Sequence, residues 1–544
     1  RLRLVRLDIL DNLTCAAQGV LVTTVGGGAA AGLDAIQIDG LRVDGNKITQ
    51  GVVNSTYLGS QTTGVAFDFG GNPAAYVGTH EGWELALGSG TIIPRMVARI
   101  TVSNNEVLLW YFDGEDPKSV ALSANFREIT RIESFVVEGN RFQGWGIAGP
   151  SAPANPISYG VVMVQNTSAG PADNTSFIRP SMCNNHVVVP QENSGPDKRC
   201  GGIVWDLEGA GILGGTFDNN NITANKNDAD EYGYGMLFYM AHDQDDQGIL
   251  QDTSFCNNVL LGPMQVGTTQ HFVNGVSLSG NTIRANDDSN DILLTLGVAK
   301  GTRCDNVAMD NNVLTDTGGT GLFFLASEDI NVGNLSISGN LIEDCDSGGG
   351  ISVSLGQEAT STFGGGSGIT ILDNVLHNIE GDGIRLNTHG RYWLMGLSAS
   401  RNTMTNVKRQ GIKLEVGGDA PPLMDIWAAG VMVEHNNMVE CGEDDTALPL
   451  IEVSTVGNVG TAQLHDVSVS YNTMSACGNE LGSTMILMDF PSSDWERAEN
   501  IRVDGNNVTD LNQSLITYDR IAGACIDLTL PEFAGVSVCD NMCQ

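Results

Sequence analysis

The chain repeats one short unit from end to end. Ile501-Arg-Val503-Asp-Gly-Asn506-Asn-Val508 reads apolar-x-apolar-x-x-Asn-x-apolar: a short alternating strand, a bend at asparagine, and another short strand. The same unit recurs at Val276-Ser-Leu278-Ser-Gly-Asn281-Thr-Ile283, at Leu335-Ser-Ile337-Ser-Gly-Asn340-Leu-Ile342 and at Val467-Ser-Val469-Ser-Tyr-Asn472-Thr-Met474. Aligned on the asparagine there are 17 copies: Asn12, Asn46, Asn72, Asn105, Asn140, Asn185, Asn220, Asn258, Asn281, Asn312, Asn340, Asn374, Asn402, Asn436, Asn472, Asn506 and Asn541. Only the copies at Asn185, Asn220 and Asn258 lack an apolar residue in one of the two slots before the bend. A mean spacing of about 33 residues means a solenoid, which grows by adding coils rather than by adding cores.

From Asn281 onward the unit is often followed by a polar turn and then Gly-apolar-x-apolar, as in Gly350-Ile-Ser-Val353, Gly383-Ile-Arg-Leu386 and Gly411-Ile-Lys-Leu414. That is a third short strand. With no helix-period stretch of useful length, three short strands per repeat describe one coil of a parallel β-helix. The fold expected is all-β, a single-stranded right-handed solenoid of about 16–17 coils with an asparagine ladder. It divides into less regular coils over 1–140, coils with long loops over 141–270, and regular coils over 271–544.

On these residues the chain resembles the right-handed parallel β-helix, or pectate-lyase-like, superfamily over nearly its whole length. In that family one turn between strands carries stacked asparagines, and Asn46 through Asn541 match that position. The physics agrees. Asparagine tolerates the left-handed conformation of a sharp bend, and its amide can bond to the amide one coil above where an unpaired polar group would be costly. The resemblance also implies that substrate grooves follow the strand after the ladder turn, here the Gly-apolar-x-apolar segment.

Outward positions on that strand stack Arg385, then Lys413 and Glu415, then Glu452, with Asp489 and Asp519 extending the strip. Adjoining loops add His389, Arg391, Tyr392, Trp393 and Trp427. Arg385, Arg391, Arg401, Lys408, Arg409 and Lys413 are six of the 27 bases in a chain with 64 acids, so a basic patch stands out locally. Such a patch beside aromatic rings suits an acidic polysaccharide, cations meeting the anion and rings the sugar face. Glu415 and Glu452 would be the carboxylate pair of a glycosidase, with Arg385 or Lys413 the base of a lyase. The competing reading is a solvated sheet face of alternating charge, each pair contributing little.

A second acidic cluster, Asp243, Asp245 and Asp246 with Trp205, Asp206, Glu208, Asp228, Asp230 and Glu231 nearby, suits calcium, which takes six to eight oxygens. It has no Asp-x-Asp-x-Asp-Gly spacing. Gly-His-Gly, Asn-Thr-Asp and Asp-Pro-His motifs of the family's enzymes are missing, and Asn387-Thr-His389-Gly does not match them. Cys441 and Cys477 each follow their asparagine by five residues in consecutive copies, which leaves a disulfide and plain core packing both open; Cys345 holds the same slot three copies before Cys441.

The formal charge of −37 argues against a nucleic-acid partner, and no apolar run approaches the roughly 18 residues of a membrane span. Both ends of the pattern stop inside a coil, so the expectation is either an excerpt of a longer protein or uncapped ends covered by other subunits, which head to tail would make a filament. Two functions remain in play. One is an extracellular, cell-surface or virion-surface structural or adhesive β-helix that contacts glycans. The other is a polysaccharide lyase, glycoside hydrolase or epimerase working through the Arg385–Glu452 strip.

Overall fold

The computed structural model describes residues 2–15, 18–23, 36–49, 62–69, 83–86, 94–108, 119–126, 131–143, 159–166, 175–189, 200–208, 210–224, 234–241, 249–268, 272–284, 292–296, 303–327, 330–357, 363–388, 391–416, 424–442, 448–455, 459–477, 485–489, 495–509, 526–529, 536–539 and 541–543. Every element among them is a β-strand, and every strand pairing is parallel. The chain divides into two compact units, Arg1–Phe272 with Asn281–Asn286, and Val273–Gly280 with Asp287–Gln544. Each is a right-handed parallel β-helix of three sheets: a first sheet before the ladder asparagine, a second just after it, and a third that closes the coil.

In the first unit the ladder runs Asn12, Asn46, Asn105, Asn140, Asn185, Asn220, Asn258, Asn281, each carboxamide oxygen accepting from the backbone N–H and Nδ2 of the rung before. Each Nδ2 also donates to a carbonyl of the preceding coil, three residues before its rung, as Asn140 does to Val102 O at 2.8 Å. Both oxygen lone pairs and both amide hydrogens are therefore used, which is what lets Asn258 and Asn220 sit at 1% exposure or less.

Asn72 is not a rung. Asn46 Nδ2 bonds straight to Asn105 Oδ1 at 2.9 Å, and Asn72 lies outside the described residues. The backbone explains this: in every coil the residue after the rung donates its N–H to the previous rung's carbonyl, as Glu106 does to Asn46 at 2.8 Å. Residue 73 is proline, which has no N–H to give. The interval instead holds Thr62–Phe69, paired with Gln18–Thr23 and Ser119–Phe126, and Trp83–Ala86, paired with Gln18–Thr23.

The bend is not at the asparagine either. The left-handed residue is the one before it: Asp11, Gly45, Asn104, Gly139, Asn184, Asn219, Asn257 and, in the second unit, Asn311, Gly339, Asp373, Arg401, His435, Tyr471 and Gly505. A second left-handed column lies five residues further back, at Arg6, Gly40, Arg99, Ser134, Arg179, Gly214 and Asp252, and continues at Gly275, Asn306, Asn334, Gly368, Gly396, Gly430, Asp466 and Asn500. The rung itself stays in ordinary backbone and contributes only its amide.

Core composition differs between the units. The first fills its coils with Phe126, Phe135, Phe177, Trp205, Phe217, Phe238 and Phe255, all fully buried. Rings meet edge to face or stacked, Phe217 lying 5.1 Å from Trp205, 4.7 Å from Phe238 and 5.0 Å from Phe255. Here lie the three coils whose unit lacked one apolar slot. Their rings at Phe217 and Phe255 displace the slot two residues earlier, which shrinks to Gly215 and Thr253. A Cβ at Gly215 would stand 2.9 Å from the Phe217 ring and 2.8 Å from Ile212.

In the second unit the rungs run Asn312, Asn340, Asn374, Asn402, Asn436, Asn472, Asn506, Asn541 on the same bonds. Apart from the buried Phe324, its described apolar core is aliphatic or sulfur-bearing, with Leu335, Ile337, Ile342, Val353, Ile371, Leu386, Leu397, Met404, Leu414, Val433 and Met438 stacked like on like. A third left-handed column lies four residues after the rung, at Asp316, Asp344, Asn378, Asn406, Glu440 and Ala476; among the described residues of the first unit the matching position has a positive φ at Gly262 alone.

Candidate functional site

The third sheet of the second unit carries the charged strip on Ile384–Thr388, Ile412–Val416 and Ile451–Thr455. The first two of these strands alternate buried and half-buried side chains, so one face meets the core and the other meets solvent. Glycine opens them because methionines of the second sheet fill the space: a Cβ would sit 2.9 Å from Met404 Sδ at Gly383 and 2.7 Å from Met438 Sδ at Gly411.

Register sorts the strip into two columns. Arg385 faces Lys413, which faces Glu452; Asn387 faces Glu415, then Ser454, then Asp489. Glu415 and Glu452 thus occupy neighbouring strands but different columns. Glu415 is shared between Arg385 Nη2 at 3.3 Å and Lys413 Nζ at 2.8 Å. Arg385 Nε also donates to Asn387 Oδ1 at 2.9 Å. Glu452 accepts from Ser454 Oγ at 2.7 Å and from Gln410 Nε2. Gln410 is 1% exposed, and its backbone N–H reaches Asp382 Oδ1 at 3.4 Å. The charges on this face are paired or hydrogen-bonded, while the buried Gln410 Oε1 has no hydrogen-bond partner.

The run of bases seen in the sequence does not form one patch. Arg385 and Lys413 stand on the third sheet. Arg401 sits at the bend beside its rung, bound to Asp373 at 2.7 Å, and Arg409 lies at the corner entering the third sheet, 3.9 Å from Asp382. Arg401 donates to Asp373 through both Nε and Nη2, which holds the Asp373 carboxyl below its ordinary range.

The aromatic residues belong to another sheet. Arg391 and Tyr392 open the first-sheet strand Arg391–Ser400, which carries Trp393; Trp427 is its register partner on Met424–Glu434. The Trp393 indole lies over Gly365, where any Cβ would fall inside the ring. Trp427 is 41% exposed, and its Nε1 donates to His465 Nε2 at 2.9 Å. That bond fixes the His465 proton on Nδ1, which faces Asp466 Oδ2 at 3.5 Å. Sequence reasoning missed His465, Gln410 and Gly365, because only the strand register shows what each touches.

His389, Asp243, Asp245, Asp246, Asp228, Asp230, Glu231 and Asp519 lie outside the described residues. Among the described residues no cluster of three His, Cys, Asp or Glu side chains could hold a metal ion, and no helix is long and apolar enough to cross a membrane. Trp205 belongs to the aromatic core, with Asp206 in register with Tyr239. Cys441 and Cys477 are neighbouring buried thiols, not a disulfide. Their mutual hydrogen bond pushes the Cys441 thiol well up and draws Cys477 down.

Residues 302–438 match the family model described as Right handed beta helix region. That segment is a right-handed β-helix region. It contains Arg385, Lys413, Glu415, Trp393 and Trp427, and the coils after it continue the ladder through Asn472 and Asn506 with parallel pairing. A comparison with curated proteins finds no match to the chain.

Proposed function

We propose that the chain is a surface β-helix of structural or adhesive type, one that contacts glycans without cleaving them. The observation that carries this reading is the closure of the charged strip on itself. Glu415 lies between Arg385 and Lys413, and Glu452 is held by Gln410 and Ser454. A general acid or base must trade protons with a substrate, and a carboxylate already serving two cations is poorly placed to do so. An extracellular or virion-surface location belongs to the same proposal, the charge of −37 suiting a self-repelling, soluble surface.

Incubation with a panel of insoluble and soluble polysaccharides tests it. Co-sedimentation with at least one glycan is expected, with no new reducing ends and no unsaturated products. Cleavage of any uronate polymer that is lost in Glu415→Gln or Glu452→Gln would overturn the reading in favour of a lyase, hydrolase or epimerase. That alternative has one observation on its side: both glutamates project from the same face of adjacent strands.

A further inference from the structure

We propose that the glycan contact lies on the first sheet of the second unit, around Trp427, and that it takes a neutral polysaccharide rather than an acidic one. The inference rests on the glycan-contact reading above and moves its site away from the charged strip. Trp393 and Trp427 stand in register, nine residues before consecutive rungs. Trp393 is laid flat by Gly365, the small residue beneath it. Trp427 is 41% exposed, and Met395 and Met432 on the same two strands are each 40% exposed. Because the indole N–H of Trp427 is already given to His465, its exposed surface offers an aromatic face and not a donor.

A pyranose presents axial C–H bonds, positive at hydrogen, to which the negative face of an indole is complementary. Hydroxyls at the sugar's edge then need polar partners within reach. Asp466 and Asn500 supply them: Asn500 Nδ2 donates to Asp466 Oδ1 at 3.0 Å, and the pair abuts His465 through Asp466 Oδ2. A carboxylate has about four acceptor sites and an amide both donates and accepts, so the pair can take hydroxyls in either sense.

Charge decides the class of sugar. Among the described side chains of these strands the acids Glu434, Asp466, Glu499 and Asp504 outnumber the one base, Arg502, with Asp466 beside His465 and Glu434 accepting from Ser468 at 2.8 Å. Arg385, Lys413, Arg401 and Arg409 are engaged by acids elsewhere on the coil. On a chain of net charge −37, a uronate or sulfate polymer meets repulsion here, while a neutral hexose or pentose chain meets none.

The test uses the full chain with neutral hexasaccharides (β-glucan, mannan, xylan and galactan fragments) and hexagalacturonate, read by calorimetry and tryptophan fluorescence. At least one neutral hexasaccharide is expected to bind. Trp427→Ala should weaken that binding at least tenfold with its circular dichroism unchanged, since the side chain is exposed; Asp466→Asn should weaken it less. Equal binding by wild type and Trp427→Ala overturns the inference. So does binding of hexagalacturonate alone that is lost in Arg385→Ala or Lys413→Ala, an outcome that leaves the glycan-contact reading standing. Binding of no hexasaccharide at all sinks both.

Discussion

The two units build the same ladder around different cores. In the first, rings reach across the coil and small residues give way to them, as Gly215 does beneath Phe217. In the second, mostly aliphatic side chains stack like on like, and six coils show a further sharp corner four residues after the rung. The difference also shows in the chain between sheets. Asp316, Asp344, Asn378 and Asn406 turn the second unit's chain back at once. At the corresponding described positions of the first unit, Val189 and Ala224 stay in extended strand and only Gly262 takes a positive φ. A β-helix can therefore be kept regular by its corners or by its core, and this chain does one in each half.

Four substitutions would break or sharpen that contrast. The largest effect is expected where the units agree. Asn140→Ala or Asn374→Ala strips a buried amide of four hydrogen bonds and orphans its partners, at about 4 kcal/mol. Chemical denaturation should show similar losses in both, and a difference of several kcal/mol would mean that the ladder is not a shared device. Next comes Gly215→Val, which overpacks the first unit's core by about 1–3 kcal/mol. Combining it with Phe217→Val should relieve part of that loss, and additive losses would show that the ring is not what excludes a side chain there.

Asn406→Val tests the corner. It forces a branched side chain into a left-handed backbone and removes the bond from Asn406 Nδ2 to Asn378 Oδ1 at 2.8 Å, for about 1–2 kcal/mol. The smallest effect is electrostatic. Asp373 is held below its ordinary carboxyl range, first by hydrogen bonds from Arg401. Its contribution is therefore complete above the unfolded-state value and fades as pH falls through the lower folded-state one. Asp373→Asn should shift the denaturation midpoint slightly at neutral pH and not at all in strong acid, and an unchanged shift across that range would dismiss the ion pair as its cause.

Much of the fold was legible because a buried asparagine must repeat wherever it is to be satisfied by its own kind. What escaped depended on register. Asn72 matched the pattern of apolar slots, but the pattern says nothing of the N–H that Pro73 lacks. The exceptions at Asn220 and Asn258 looked like weak copies and are coils in which a ring, Phe217 or Phe255, has taken its neighbour's room, while the copy at Asn185 carries Pro180 in the slot. Spacing of five between the left-handed columns was visible as Gly, Asn and Asp at fixed offsets, although Arg401, His435 and Tyr471 disguise it. The site was harder to read. Arg385, Lys413 and Glu415 were placed together correctly, whereas Trp427 and Arg401, close in sequence, face other directions once the coil closes.

The ladder also has a sense of direction. Along the row of side chains each rung's oxygen accepts from the rung before it, and one N–H of its NH₂ group donates to the oxygen of the rung after. Turning a single amide over would set oxygen against oxygen on one side and hydrogen against hydrogen on the other. No rung can be reversed alone, so the orientation of one commits its whole row. Replacement of any rung by aspartate would insert an acceptor where the next coil requires a donor, dividing the row into two that no longer read each other.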